Sequence, residues 1–108
     1  MSQVLTLNTE TFNQTIKNGI VIVDIKTEWC GPCKTLGPIV EQVASDLKDK
    51  GVVVGKLDAD DNGNLCQELG ITNIPTLLFY KDGELKERTV GMKMKKEILN
   101  IVNKLIES

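Results

Sequence analysis

The sequence predicts an α/β fold, a mixed five-stranded sheet covered by four helices. Three observations carry that prediction. The apolar pattern alternates between strand-like and helix-like periods through the first part of the chain, which implies parallel strands joined by helices. The dipeptide Asp82-Gly83 separates two strand-like runs, the signature of a tight hairpin and so of an antiparallel pair. A final amphipathic stretch completes the order β-α-β-α-β-α-β-β-α.

The elements follow in sequence. Val4 to Leu7 is a short strand. Asn8 or Thr9 caps a helix carrying Phe12 and Ile16 at i, i+4, with Glu10 in its first turn. Ile20 to Ile25 is an almost unbroken β-branched run, the pattern of a central strand buried on both faces. After Cys33 the period becomes helical through Leu36, Ile39, Val40, Val43, Ala44 and Leu47, with Pro38 set to kink that helix by removing a backbone donor. Val52 to Val54 begins a strand running towards Leu57, and Asp61 is the expected cap of a short helix holding Leu65 and Leu69 and closed by Gly70. Thr76 to Tyr80 and Leu85 to Val90 flank the hairpin turn. Ile98, Ile101, Val102, Leu105 and Ile106 form the apolar stripe of the last helix.

The 108 residues suit one domain over 1–108 and leave no room for two. Thirteen basic and fifteen acidic side chains give a formal charge of −2, with no basic field to attract nucleic acid. Met1 to Glu10 lacks the basic and apolar regions of a signal peptide, and no apolar run approaches the ~20 residues of a membrane span. Three cysteines, an odd number, argue against a disulfide-stapled extracellular domain, so a cytoplasmic protein is expected.

The segment Trp29-Cys30-Gly31-Pro32-Cys33 joins the central strand to the proline-containing helix. Two cysteines separated by two residues at a helix start can close a small ring when oxidised. Cys30 belongs at or near the N-cap, where unpaired backbone donors and the helix dipole favour a thiolate. Pro32 suits the first turn because it has no amide hydrogen to lose. Gly31 keeps the approach to Cys30 open.

Acidity alone explains little of the reactivity of such a pair. Lowering a thiol pKa from ~8.5 to ~7 raises the thiolate fraction at pH 7 about sixteenfold. The accompanying loss of nucleophilicity, at a Brønsted slope of ~0.45, removes about fivefold, so roughly threefold remains. A second thiol that resolves the mixed disulfide intramolecularly matters more. The competing reading of the pair is a zinc site, but structural zinc takes four ligands. The chain has no histidine, and Cys66 is its only other cysteine.

Taken with Asp24 on the preceding strand, Pro38, Lys56, Ile74-Pro75-Thr76, Asp82-Gly83 and Gly91, this motif closely resembles the active-site signature of the thioredoxin family, in order and spacing over essentially the whole chain. The Gly-Pro pair between the cysteines resembles the reducing branch of that family. The resemblance implies the thioredoxin fold and a protein-disulfide reductase, or dithiol electron carrier, that binds no cofactor or metal and uses a redox-active Cys30–Cys33 disulfide. It implies a flavin-containing thioredoxin reductase as electron donor, protein disulfides as substrates, and a monomer that engages neither membrane nor nucleic acid. A non-catalytic binding subunit on the same fold is the alternative function.

Residue by residue, the resemblance makes Cys30 the exposed nucleophile and Cys33 the buried resolving thiol. Asp24, beneath them, handles the proton. Strand alternation places Ile20, Ile22, Asp24 and Lys26 on one face; the other reading of Asp24 is a solvent-facing residue at the strand end. Pro75 is implied to be cis, with Ile74 offering its backbone to an extended substrate segment. Trp29, Gly31, Pro32, Ile74, Pro75, Gly91 and Met92 form the implied contact surface, although Met92 fits loop packing equally well.

One stretch departs from the family. Ile25-Lys26-Thr27 stands where Phe-Trp-Ala is usual, so the aromatic shelf under the site is missing. The departure bears on reduction potential and partner range, not on reaction type. Lys26, two residues along the strand from Asp24, is expected to bring its ammonium within ion-pair reach of it and tune it, with Lys56 approaching from the neighbouring strand. Snorkelling of Lys26 to solvent is the alternative. Cys66 is expected to be a buried bystander, with regulatory oxidation or dimerisation as its other reading.

Overall fold

The computed structural model describes residues 3–108; Met1 and Ser2, part of the N-terminal stretch read above, lie outside the described residues. The elements are β1 (Val4–Leu7), α1 (Thr9–Ile16), β2 (Ile20–Lys26), α2 (Gly31–Leu47), a 3-10 turn (Lys48–Lys50), β3 (Val53–Asp58), α3 (Gly63–Glu68), β4 (Thr76–Lys81), β5 (Glu84–Val90) and α4 (Lys95–Glu107). The sheet order is β1-β3-β2-β4-β5. The strands β1, β3 and β2 run parallel, and β4 and β5 are antiparallel to their neighbours. The mixed sheet and its four helices are therefore as expected.

Strand parity divides the core into two layers. Ile22 of β2, with Val54, Leu77 and Phe79, packs beneath Leu36, Val40 and Val43 of α2 and Ile98 and Val102 of α4. Val21, Val23 and Ile25 face the other way, onto Phe12 and Ile16 of α1 and Leu65 and Cys66 of α3. Burial on both faces is why β2 reads as continuous β-branched sequence rather than alternation. The salt bridge Lys95–Asp46, at 3.0 Å, adds a surface tie between α4 and α2.

Helix ends are fixed by named side chains. The Asn8 carboxamide accepts from Glu10 N and Thr11 N, both at 2.9 Å, and Thr11 Oγ1 accepts from Asn8 N at 3.0 Å, so Asn8 rather than Thr9 caps α1. The expected cap of α3 is corrected: Asn62, not Asp61, is the N-cap. Its buried carboxamide accepts from Thr9 N and Thr9 Oγ1 and donates to Asp58 O, each at 2.9 Å, so it bridges elements instead of closing its own helix. Asp61 remains exposed.

At the other ends, Arg88 of β5 donates to the carbonyls of Leu69 and Gly70 behind α3. Lys81 Nζ donates to Leu105 O at 2.8 Å and to Ser108 O at 2.6 Å at the end of α4. Cations at helix C-termini satisfy orphan carbonyls and oppose the dipole. The hairpin has Asp82 at φ 52° and Gly83 at φ 86°. Positive φ at both central residues matches the twist of paired strands, the reason Asp-Gly is favoured there.

Candidate functional site

Four strand ends meet at one end of the sheet. Lys26 at the end of β2 lies opposite Asp58 at the end of β3, and Thr76 at the start of β4 lies opposite both Ile25 and Val90. The loop carrying the cysteines, the turn before β4 and the segment after β5 therefore leave the sheet at the same end. This topology unites Trp29 and Cys30 with Ile74, Pro75, Gly91 and Met92, which are far apart in sequence.

Cys30 is the N-cap of α2, with extended backbone at φ −91° and ψ 114°. Its Sγ accepts from Cys33 N at 3.1 Å. This donor is one of those left orphaned by helix geometry, and it would stabilise negative charge on Cys30 Sγ once the disulfide is reduced. The Cys30–Cys33 disulfide spans Cα atoms 5.2 Å apart. Cys33 is only 3% exposed, whereas Cys30 is half-buried and Gly31 and Pro32 are exposed. A side chain built on Gly31 would meet nothing within 4 Å, so the backbone next to Cys30 borders open space. Trp29 is 88% exposed, which rules out core filling for the chain's only tryptophan.

Asp24 shares the α2-facing side of β2 with Ile22 and is buried, which decides against the solvent-facing reading. Its Oδ1 has no hydrogen-bond partner among the described residues. Burial pushes its pKa up from 3.8 to about 6, and the charges of Lys26 and Lys56 pull it part of the way back. Lys56 is its register partner on β3. The expectation that Lys26 reaches ion-pair distance is corrected. No ion pair or hydrogen bond joins the two, and Lys26 acts on Asp24 through space from a half-buried position at the strand end. A cavity of about 110 Å³ adjoins Asp24, Lys26, Gly37, Glu41 and Lys56.

Ile74–Pro75 is cis, as the resemblance implied, and Pro75 is buried. Gly91 N donates to Pro75 O at 2.8 Å and Thr76 Oγ1 donates to Asn73 O at 2.6 Å, which together fix the turn. Met92 and Met94 follow as exposed apolar side chains. Cys66 is a free, buried cysteine of α3, its thiol pKa raised by burial and then by Asp58. Among the described residues no three His, Cys, Asp or Glu side chains gather as metal ligands would, and no helix is long and apolar enough to cross a membrane.

Glu28 and Lys34 escaped sequence reasoning. With Lys26, Thr27, Trp29 and Cys33 they line a cavity of about 410 Å³ beside the cysteines. Their only signal was adjacency to the motif, which does not say which way a side chain turns.

The family model described as Thioredoxin matches residues 3–104. The thioredoxin of Chlamydia caviae is 37% identical over 100 residues, covering 93% of this chain and 96% of that protein. That of Rickettsia felis is 44% identical over 86 residues (80% and 81%), and that of Bacillus subtilis 39% over 95 (88% and 90%). Among solved structures, a mutant thioredoxin from Halobacterium salinarum superposes with a TM-score of 0.86 at 31% identity, covering 94% of this chain and 89% of that one. The Malassezia sympodialis thioredoxin gives 0.84 at 28% identity, covering 96% and 91%.

Proposed function

The chain belongs to the thioredoxin family and is a thiol-disulfide oxidoreductase working through its own cysteine pair, and from that premise we propose how its residues divide the reduction of protein disulfides. The Cys30 thiolate attacks one sulfur of the target disulfide. A Cys30–target disulfide forms and the target's other sulfur leaves as a thiolate. Cys33 then attacks Cys30 Sγ, closing the Cys30–Cys33 disulfide and releasing the reduced target.

The observation that carries this division is the asymmetry of the pair. Cys30 sits half-buried on the helix N-cap, next to the open space at Gly31 and with a backbone N–H directed at its sulfur, and Cys33 is buried one turn further in. Only the first sulfur has both a backbone donor that would stabilise its thiolate and a position reachable by a folded partner.

Asp24 takes the proton of Cys33 as that thiol attacks. With a pKa of about 6 it is mostly ionised at neutral pH, yet close enough to neutrality to give the proton up again. The cavity beside it has room for a few waters at ~30 Å³ each, a route between Asp24 and solvent past Lys56 and Glu41.

Trp29, Gly31, Pro32, Ile74, Pro75, Gly91 and Met92 receive the target at the shared sheet edge, Ile74 by backbone pairing with an extended segment. A flavin-containing thioredoxin reductase restores the dithiol, and the protein acts as a cytoplasmic, monomeric single domain. Reduction of insulin disulfides tests the activity, and Cys33→Ser in cell extract tests the division of labour. Wild type should reduce insulin, and the variant should accumulate mixed disulfides; a variant that reduces insulin at the wild-type rate would refute the assignment.

A further inference from the structure

Lys26 stands where the family usually has an aromatic residue, and three separate cavities border it. The largest, about 560 Å³, lies at the ends of β1 and β3 and is ringed by the carboxylates of Glu10, Glu28, Asp58 and Asp61. The smallest reaches Asp24. The one that touches the redox pair, about 410 Å³, has Cys33 and the exposed Trp29 in its wall, two ammonium groups, Lys26 and Lys34, and one carboxylate, Glu28. Its volume falls among small-molecule sites, roughly 300–1,000 Å³.

Lys26 is half-buried and, among the described residues, its ammonium has neither an ion pair nor a hydrogen bond; the ammonium of the exposed Lys34 is likewise unpaired. Unpaired cations beside Cys33, whose sulfur is bonded to that of the attacking Cys30, with an indole ring to cover apolar atoms, fit an anionic group carried next to a disulfide.

We propose that this cavity is a carboxylate subsite, through which the protein reduces disulfides bearing a carboxylate near the sulfur, low-molecular-weight disulfides among them. Lys26 and Lys34 hold the carboxylate and Trp29 covers the adjoining methylenes. The chemistry is that of the cysteine pair, so this inference rests on the reading above. The Cys30 thiolate attacks R–S–S–R, the Cys30–S–R bond forms and R–S⁻ leaves with the electron pair. Cys33 then closes the Cys30–Cys33 bond and expels the second R–S⁻, so two electrons pass from dithiol to disulfide. The reductant that serves the established activity regenerates the dithiol.

The test compares single-turnover oxidation rates of the reduced protein by 3,3′-dithiodipropionate (dianionic) and 2-hydroxyethyl disulfide (neutral). A disulfide peptide with Asp beside the cysteine and its Asn counterpart form a second pair. The quantity read is the anionic-to-neutral rate ratio within each variant, which removes any change in thiol reactivity common to both substrates. Lys26→Met, similar in length and apolar stem, should lower the ratio about threefold to fivefold, as loss of one partly exposed ion pair does. Lys26→Arg should restore it, and 0.5 M salt should abolish the difference between wild type and Lys26→Met.

A change in the dithiodipropionate ratio alone assigns the subsite to small disulfides. A change in the peptide ratio alone assigns it to protein substrates, and both together to the carboxylate whatever carries it. If neither ratio moves in Lys26→Met, or Lys26→Arg fails to restore it, the subsite is refuted. Failure of wild type to reduce the neutral disulfide would instead refute the reductase reading itself.

Discussion

Replacing Asp24 by Asn should stabilise the oxidised protein, and by an amount that grows with pH. Asp24 is 3% exposed, and its pKa is raised from 3.8 to about 6, first by burial and against the opposing charges of Lys26 and Lys56. Between those two pH values the native state holds a proton that the unfolded chain has lost, so stability falls as pH rises. Below 3.8 both states are protonated and nothing is lost; above 6 both are ionised and the full penalty persists. At ~1.4 kcal/mol per tenfold, the penalty is under about 1 kcal/mol at pH 4 and grows to about 3 kcal/mol by pH 8.

An amide of the same shape is neutral throughout. Asp24→Asn should therefore match wild type near pH 4 and exceed it by about 3 kcal/mol at pH 8, roughly 13 °C in Tm for a chain of this size. Urea unfolding of both proteins from pH 4 to 8, with m-values checked for constancy, reads the difference directly. A stability gain that is the same at pH 4 and pH 8 would refute the account of Asp24 as a buried carboxylate. The same substitution should slow disulfide reduction, since it removes the proposed proton acceptor.

Cys66→Ala should leave insulin reduction within about twofold of wild type while lowering stability by about 1 kcal/mol, because a buried sulfur leaves a small void; a large loss of turnover in the folded variant would contradict the bystander role. Lys81→Met removes the donor to Leu105 O and Ser108 O and should reduce stability by about 1 kcal/mol, visible as earlier hydrogen exchange in the last turn of α4. Lys26→Met removes a charge that lowers the Asp24 pKa, so carboxyl NMR titration should show the Asp24 midpoint rise. A rise below about half a pH unit, under ~0.7 kcal/mol, would mean the coupling is too weak to matter.

Much of this architecture is legible in the residues themselves. Burial on two faces selects Val and Ile, so β2 announces itself. A two-residue turn demanding positive φ selects Asp82-Gly83, and the reactive cysteines sit where strand becomes helix. The parity of β2 also places Asp24 beneath α2, because Ile22 and Asp24 must face the same way. What stays hidden depends on distant partners. Asn62 displaces Asp61 as the cap of α3 because its carboxamide bridges Thr9 and Asp58, fifty-three and four residues away. The cluster of Ile74, Pro75 and Gly91 at the cysteine end follows from strand registers that no local window contains. The cavities around Lys26 are likewise invisible to sequence, since a lysine's neighbours, not its identity, determine what space it leaves.

In the proposed division of labour one sulfur attacks and the other resolves. Limiting iodoacetamide treatment of the reduced native protein, quenched early and mapped by peptide mass, measures that division directly. Carbamidomethylation of Cys30 should come well before that of Cys33 or Cys66, because Cys30 alone combines partial exposure with an N-cap that stabilises its thiolate. Modification of Cys33 first, or of both at equal rates, would contradict it.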